Sequence, residues 1–143
     1  MEGKLLPSTV RGIMTKPVIT TKTDSSVHEA AELMNRKKVG SIVVARGKKP
    51  VGIVTERDIV GRVVAKGFDA SKVLMKEIMS KPLITVRSGM SLIDAIRVMQ
   101  KKKIRRLLVT ENNELIGIVT QRDLLRALAF HVVISFRPLL ETK

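Results

Sequence analysis

The sequence predicts a mixed α/β fold made of two tandem repeats, each with the order strand, helix, strand, strand, helix. The first observation is self-similarity: residues 13–59 align without a gap on residues 78–124, and 18 of the 47 aligned positions are identical. The second is periodicity, because short apolar runs typical of strands alternate with segments whose apolar residues recur every three to four positions. One unit of about 50 residues buries little apolar surface alone. We therefore expect the repeats to pack through their sheets as one pseudo-two-fold module, with clefts between them.

The chain divides by sequence into four parts. They are a first repeat at residues 10–66, a linker at 67–76, a second repeat at 77–130 and a C-terminal extension at 131–143. The end of the second repeat and the extension share an apolar run of about ten residues, which is too short to span a bilayer. We expect this run to prolong the last helix as a packing or subunit-contact segment. Pro138 should end that helix, and residues 141–143 should be frayed.

A proline-containing motif opens each repeat. Ile13-Met14-Thr15-Lys16-Pro17 recurs 65 residues later as Ile78-Met79-Ser80-Lys81-Pro82. Proline favours extended backbone around it. A short strand is therefore predicted directly after each motif, at residues 18–20 and 83–86.

The first helix of each repeat has a start signal and a basic end. Ser26–Glu29 and Ser91–Asp94 match the capping-box pattern, in which a hydroxyl and a carboxylate satisfy the backbone of their own helix. The same helices end in the basic runs 36–38 and 101–103. Cations there complement the helix dipole, and a dedicated polyanion site is the alternative.

Two strands joined by a short polar loop follow in each repeat, at residues 41–45 and 51–54, and again at 106–110 and 116–119. Short polar connections between apolar strands are typical of hairpins, so these strands should be antiparallel. The second helix should begin directly after each hairpin.

The residues at that junction are the most informative in the chain. Gly52-Ile53-Val54-Thr55-Glu56-Arg57-Asp58 returns as Gly117-Ile118-Val119-Thr120-Gln121-Arg122-Asp123. A helix start offers unpaired N–H groups and a positive dipole end, which suit a phosphate. The hydroxyl could reach that phosphate, and the carboxylate could accept hydrogen bonds from a sugar diol. Thr-x-x-Asp is also a capping box, so both interpretations stand at this point.

Composition narrows the function. The chain has 143 residues, is 44% hydrophobic, and contains no Cys, which excludes disulfides, thiol catalysis and Cys-ligated zinc. Its two His residues show no metal-ligand spacing, and no nucleophile–base pair is visible, so we expect no metal, no cofactor and no catalysis. The start of the sequence lacks the apolar core of a signal peptide, so a cytoplasmic protein without a membrane segment is expected.

The formal net charge of +14 indicates affinity for polyanions or anionic small molecules. A nucleic-acid-binding protein is therefore the main competing function. Three Phe and no Trp or Tyr leave few stacking platforms for single strands, and no helix-turn-helix or zinc-finger signature is present.

The two entry motifs, the two Gly-to-Asp motifs and the segment Lys103–Val109 resemble a tandem pair of CBS domains. These regulatory repeats are named after cystathionine β-synthase, and a pair is also called a Bateman module. The resemblance covers roughly residues 10–129. It implies a sensor that binds an adenosine nucleotide such as AMP, ADP or ATP in the clefts between the two repeats, or alternatively S-adenosyl methionine. It also implies a disc-like homodimer and an unknown regulated protein in trans.

Carried over by position, the two Thr of the Gly-to-Asp motifs would contact phosphate and the two Asp would contact the ribose hydroxyls. The extended residues after each entry motif would meet the adenine through backbone groups. The full set of implied nucleotide-binding positions is Ile19, Thr20, Val39, Gly40, Thr55, Arg57, Asp58, Ile84, Thr85, Ile104, Arg105, Arg106, Thr120, Arg122 and Asp123.

The two sites should be unequal. Gly40-Ser41 in the first repeat corresponds to Arg105-Arg106 in the second. Successive strand residues point to opposite faces, so one arginine of the pair can face a given site. That guanidinium can grip a phosphate, which Gly or Ser cannot do. The alternative is that both arginines lie on a solvated edge.

Overall fold

The computed structural model describes residues 7–81 and 83–141, with side chains through residue 136. Pro82 of the second entry motif, and residues 142 and 143 of the predicted frayed end, lie outside the described residues. The chain forms two compact units. The first unit is Val18–Leu83, and the second comprises the described parts of Met1–Pro17 and Ile84–Lys143.

Each unit contains the predicted order of elements. The first unit is built from β1 (Thr20–Lys22), α1 (Val27–Lys37), β2 (Ser41–Arg46), β3 (Lys49–Thr55), α2 (Glu56–Ile59), a π-helical turn (Val60–Val64) and α3 (Met75–Ile78). The second unit is built from a 3₁₀ turn (Val10–Gly12), β4 (Thr85–Arg87), α4 (Leu92–Lys102), β5 (Arg106–Glu111), β6 (Glu114–Thr120) and α5 (Gln121–Glu141). The mixed α/β class and the β-α-β-β-α repeat are confirmed.

The two sheets have the same topology. In the first, β1 runs parallel to β2 with Thr20 opposite Val43, and β2 runs antiparallel to β3 with Ser41 opposite Thr55. The second repeats this with β4, β5 and β6 in the same order. The hairpin prediction is confirmed. The first strand of each repeat begins later than predicted, at Thr20 and Thr85, which is where its parallel pairing with the middle strand begins.

Each unit buries its own apolar core between its sheet and its helices. In α1 the buried residues Val27, Ala30 and Met34 lie on one face, as the helical spacing predicts. Ser26 caps this helix, because its Oγ accepts from Glu29 N at 3.1 Å. The first core is made of Val27, Ala30, Met34, Ile42, Val44, Val54, Val63, Met75 and Ile78. The second is made of Val10, Val86, Leu92, Ala95, Met99, Leu107, Val109, Val119 and Leu124.

The entry segments are exchanged between the units. Thr15, in the entry motif of the first repeat, pairs with Ile118 on β6: Thr15 N donates to Ile118 O at 2.9 Å, and Ile118 N donates to Thr15 O at 3.1 Å. Ser80, in the entry motif of the second repeat, pairs in the same way with Ile53 on β3. Each outer strand is therefore extended by a segment that leads into the other repeat. Met75, which belongs to the predicted linker, is fully buried in the first core. The repeat limits drawn from the sequence remain a prediction.

Further contacts within the second unit join residues 7–15 to residues that follow Ile84. The side chain of Arg11 forms an ion pair with Glu111, and Ser88 Oγ donates to the same carboxylate at 2.9 Å. The Arg11 and Ser88 hydrogen bonds lower the pKa of Glu111 below its ordinary value. At the other end of the segment, His131 Nε2 lies 2.6 Å from Pro7 O.

The last helix is longer than expected. α5 runs to Glu141, so the prediction that Pro138 ends it is wrong. Proline in a helix removes its own N–H donor and strains the preceding turn, at a cost of about 3 kcal/mol, but the backbone after it can remain helical. The prediction that the apolar segment prolongs the last helix is confirmed.

The methionine of each entry motif packs on the initial glycine of the Gly-to-Asp motif in the other repeat. A Cβ added to Gly52 would lie 2.5 Å from Met79 Sδ, and one added to Gly117 would overlap Met14 Sδ. The entry segment and the outer strand thus approach more closely than any side chain on the strand would allow. This contact explains why glycine occupies the strand position in both repeats, since a side chain there would collide with the methionine.

Gly117→Ala should destabilise the protein by about 1–3 kcal/mol, because Met14 must shift to admit the methyl group. Chemical denaturation followed by circular dichroism measures this change. Gly89→Ala is the matched control, since nothing lies within 4 Å of a Cβ built there. The double variant Gly117→Ala/Met14→Ala should cost less than the sum of the two single variants. An additive result would contradict the proposed contact.

Candidate functional site

Topology gathers the predicted binding residues at one edge of each sheet. The parallel strands of each sheet begin at the same edge, and the antiparallel outer strand ends there. The first edge contains Ile19, Thr20, Val39, Gly40, Thr55, Arg57 and Asp58. The second edge contains Ile84, Thr85, Ile104, Arg105, Arg106, Thr120, Arg122 and Asp123. All the positions that the sequence predicted fall on one of these two edges, and each edge lies within one unit.

Backbone hydrogen bonds join the parts of each edge. At the first edge, Val43 N donates to Ile19 O at 3.0 Å, and Glu56 N donates to Gly40 O at 3.0 Å. At the second edge, Leu108 N donates to Ile84 O at 3.0 Å, and Gln121 N donates to Arg105 O at 2.8 Å. The helix start is therefore held against the beginning of the middle strand, and the two edges are built alike.

Both Thr-x-x-Asp turns are capping boxes. Thr55 N donates to Asp58 Oδ2 at 2.9 Å, and Asp58 N donates to Thr55 Oγ1 at 3.1 Å. Thr120 and Asp123 repeat this pair with the same two distances. The capping interpretation is confirmed. It does not use all the chemistry of the pair, because each Thr hydroxyl keeps its proton to donate and each Asp keeps its second oxygen, Oδ1, to accept.

The backbone at these helix starts is less open than the motif alone indicates. Of the first three N–H groups of α5, Gln121 N is bonded to Arg105 O and Asp123 N to Thr120 Oγ1. The first and third N–H groups of α2 are bonded in the same way. The expectation of unpaired N–H groups at these helix starts is thus only partly met, and an anion bound here would depend mainly on side chains.

Strand register places Arg106 on the face that carries Thr120. The two residues are directly opposite each other on β5 and β6, and such pairs project to the same side. Leu107 and Val109, the alternate residues of β5, enter the core on the other side. Arg105 lies ahead of the strand and is exposed. Of the two arginines, the structure therefore brings Arg106 beside the Thr-Asp turn.

The guanidinium of Arg106 contains a buried hydrogen-bond donor. Its Nε is buried, and no hydrogen-bond acceptor for it exists among the residues that the structure describes. Leaving a buried donor without a partner costs about 1–3 kcal/mol, more for a charged group. A bound acceptor, above all an anion, would satisfy it.

The first edge differs in its charges. Ser41 occupies the position of Arg106, and Glu56 the position of Gln121. A Cβ on Gly40 would lie 3.0 Å from Glu56 Oε1, so this carboxylate rests over the start of β2. Asp58 Oδ1 lies 3.9 Å from Arg62 Nε. Glu56 and Arg62 were missed by sequence reasoning, although Glu56 is the one position at which the two motif copies differ.

No group of three or more His, Asp or Glu side chains that could hold a metal ion occurs in residues 7–81 and 83–136. None of the described helices is long and apolar enough to cross a bilayer.

The sequence profile of the CBS domain matches residues 10–65 and 75–130 of this chain. The chain therefore belongs to the CBS-domain family and carries a tandem CBS pair, which is a regulatory module.

Two relatives show how the pair occurs in other chains. The CBS domain-containing protein YhcV of Bacillus subtilis is 38% identical over 117 residues, which cover 82% of this chain and 83% of YhcV. Protein MK0525 of Methanopyrus kandleri is 42% identical over 113 residues, 78% of this chain. The match spans only 58% of the length of MK0525.

A solved structure supplies a ligand-bound comparison. The CBS domain pair of protein MJ0100, in complex with 5′-methylthioadenosine and S-adenosyl-L-methionine, superposes with a TM-score of 0.74. It is 27% identical, and the match covers 87% of this chain and 99% of that chain.

The Asp residues of the two capping boxes can be tested for a structural role. Asp58→Ala and Asp123→Ala should each lower the free energy of unfolding by roughly 0.5–1 kcal/mol, because each removes one half of a box. Asp94→Ala is the control at the same position of α4, where the carboxylate is exposed and contacts Arg97. Thermal denaturation without ligand measures all three. Equal stability of the Asp58 and Asp94 variants would contradict the structural role.

Proposed function

We propose that this CBS pair is a regulatory module that binds an adenosine nucleotide, AMP, ADP or ATP, at the second edge. It would act in the cytoplasm as a sensor for a regulated protein in trans, not as an enzyme. The observation that carries the nucleotide assignment is the buried Nε of Arg106, which lacks an acceptor beside Thr120. A phosphate fits a guanidinium well, since two of its oxygens can accept parallel N–H bonds.

Each part of the nucleotide has a matching group at this edge. The Thr120 hydroxyl proton can be donated to the phosphate that Arg106 holds. Asp123 Oδ1 can accept from the ribose hydroxyls while Oδ2 keeps its bond to Thr120 N. Extended backbone at Ile84 and Thr85 would meet the adenine. Capping and binding are therefore compatible, because they use different atoms of the same two side chains.

The adenosine-type ligands of the MJ0100 pair support this ligand class and keep S-adenosyl methionine as an alternative. Nucleic-acid binding is the second candidate, which the net charge of +14 favours. Phosphate contacts with a surface of this charge would bind DNA of any sequence, with a steep dependence on salt.

Melting curves with AMP, ADP, ATP, S-adenosyl methionine and duplex DNA, at low and moderate salt, separate these candidates. A nucleotide at about 100 times its dissociation constant should add about 2.7 kcal/mol per site. The chain has no Trp or Tyr, so calorimetry or a dye must report melting. Stabilisation by DNA alone, lost at moderate salt, would replace the nucleotide proposal with the nucleic-acid one.

Arg106→Ser should weaken AMP binding by roughly tenfold or more, since a charge-assisted bond contributes about 1.5–3 kcal/mol. Arg105→Gly is the matched control, because Arg105 is exposed and lies off the Thr120 face, and it should bind AMP within about threefold of the original chain. Titration calorimetry measures both. Without ligand, Arg106→Ser should be at least as stable as the original chain, because it removes an unsatisfied buried donor. Unchanged AMP affinity in Arg106→Ser would overturn the assignment.

A homodimer is the second part of the proposal. On α5, Leu125, Val132, Val133 and Phe136 are each more than half exposed. With Ala129 they follow the spacing i, i+4, i+7, i+8, i+11, which is one helical face. The equivalent positions in the first repeat, Val60, Val64 and Phe68, are also exposed and mostly apolar. A repeated exposed apolar face fits association with a second copy of this chain.

Val132→Glu should shift the chain toward monomer, because it places a charge inside a buried apolar contact. Ile93→Glu is the control, since Ile93 is 50% exposed on α4, away from this face. Sedimentation velocity over a concentration series measures the shift. A chain that is monomeric throughout the series, or a dimer indifferent to Val132→Glu, would remove α5 as the contact.

A further inference from the structure

The two edges present the same Thr-Asp pair to a ribose, but they differ in the charged groups around that pair. The Thr-Asp pair has the same hydrogen-bond distances, 2.9 and 3.1 Å, at both edges. Cations that occur at both edges, such as Lys38 with Lys103 and Arg57 with Arg122, cancel in a comparison. Any difference in ligand must therefore come from the positions where the repeats differ.

Five such positions, at the edges or in the helices that begin there, carry charge. From the first repeat to the second, Gly40 is replaced by Arg105, Ser41 by Arg106, Glu56 by Gln121, Gly61 by Arg126 and Arg62 by Ala127. The first four differences each make the second repeat more positive by one charge, and the fifth offsets one of them. Arg62 lies beside Asp58, since its Nε is 3.9 Å from Asp58 Oδ1, and its Nη1 donates to Ile78 O at 2.6 Å. The first edge is thus the less positive of the two, although both belong to a strongly basic chain.

The position of Glu56 makes this difference local. Its carboxylate rests over Gly40, next to Ser41, which stands directly opposite Thr55 on the neighbouring strand. A phosphate held by the Thr55 hydroxyl would meet this carboxylate, with no cation at position 41 to balance it. Like charges a few ångströms apart repel by about 1 kcal/mol even in water, which is about a fivefold loss of affinity.

We propose that the first edge binds an adenosine-type ligand without phosphate, with a neutral or cationic 5′ substituent, while the second edge binds the phosphorylated form. This assignment rests on the proposed function, since it takes adenosine recognition by the Thr-Asp turns as given. The module then has two selective sites, not two copies of one site.

Three probes of nearly equal size test the assignment: adenosine, AMP and 5′-amino-5′-deoxyadenosine, which are neutral, anionic and cationic at neutral pH. Each is titrated by calorimetry into Asp123→Asn, which retains the first edge, and into Asp58→Asn, which retains the second. Circular dichroism confirms that both variants fold. The first edge should bind the amine and adenosine at least fivefold more tightly than AMP. The second edge should bind AMP most tightly.

A charge exchange provides the internal control. Ser41→Arg with Glu56→Gln, made in the Asp123→Asn chain, should raise the affinity for AMP relative to adenosine by roughly 25-fold, about fivefold per charge. Asp24→Asn with Glu32→Gln adds the same net charge at exposed positions away from the first edge, and should change the ratio by less than about threefold.

The outcomes separate the two proposals. A first edge that prefers AMP, or a ratio that the exchange leaves unchanged, overturns the selectivity while AMP binding at the second edge upholds the nucleotide proposal. Binding of none of the three probes at either edge overturns the nucleotide proposal, and the selectivity with it.

Discussion

The register of each hairpin determines what the candidate sites contain. Thr55 and Thr120 end their strands directly opposite Ser41 and Arg106. A slip of one residue would send every side chain of the strand to the other face, moving Leu107 out of the core and Arg106 into it. Core packing and site chemistry therefore depend on the same pairing. The core enforces a register that the site alone has too few contacts to impose.

The Thr-Asp turns likewise combine a structural role with the proposed binding role. The capping box and the proposed ribose-binding contacts use different lone pairs and protons of the same residues, and the capping bonds are already made without ligand. Preformed groups lose little conformational freedom on binding, which favours affinity. The cost is that the helix start has few free N–H groups to offer an anion. In the proposed function, this shortage makes Arg106 the main anion-binding group at the second edge, where the first edge has only Ser41.

Local patterns in the sequence were sufficient for the repeat, the hairpins and the capping hydroxyls, but the capping box predicted for Ser91 and Asp94 forms only its Ser91 half, because Asp94 pairs with Arg97. Ser26, Thr55 and Thr120 begin helices because their hydroxyls satisfy N–H groups three residues away, a relation that a sequence shows directly. The alternation rule also required that only one of Arg105 and Arg106 face the site. Which one it is depends on the pairing with β6, a tertiary fact. The contact between Thr15 and Ile118 joins residues far apart in the chain, and no local pattern indicates it. The role of Met75 in the core was missed for the same reason.

The exchanged entry segments carry a consequence for the origin of the chain. One repeat alone contains an outer strand and an entry segment. In this structure these two do not pair, because each entry segment pairs with the outer strand of the other repeat. A single-repeat ancestor would have had to borrow the segment from another polypeptide, with its methionine set on that partner's glycine. Tandem duplication would turn such a contact between two chains into one within a single chain. The constant 65-residue offset between Met14 and Met79, and between Gly52 and Gly117, is the spacing that a duplication would leave.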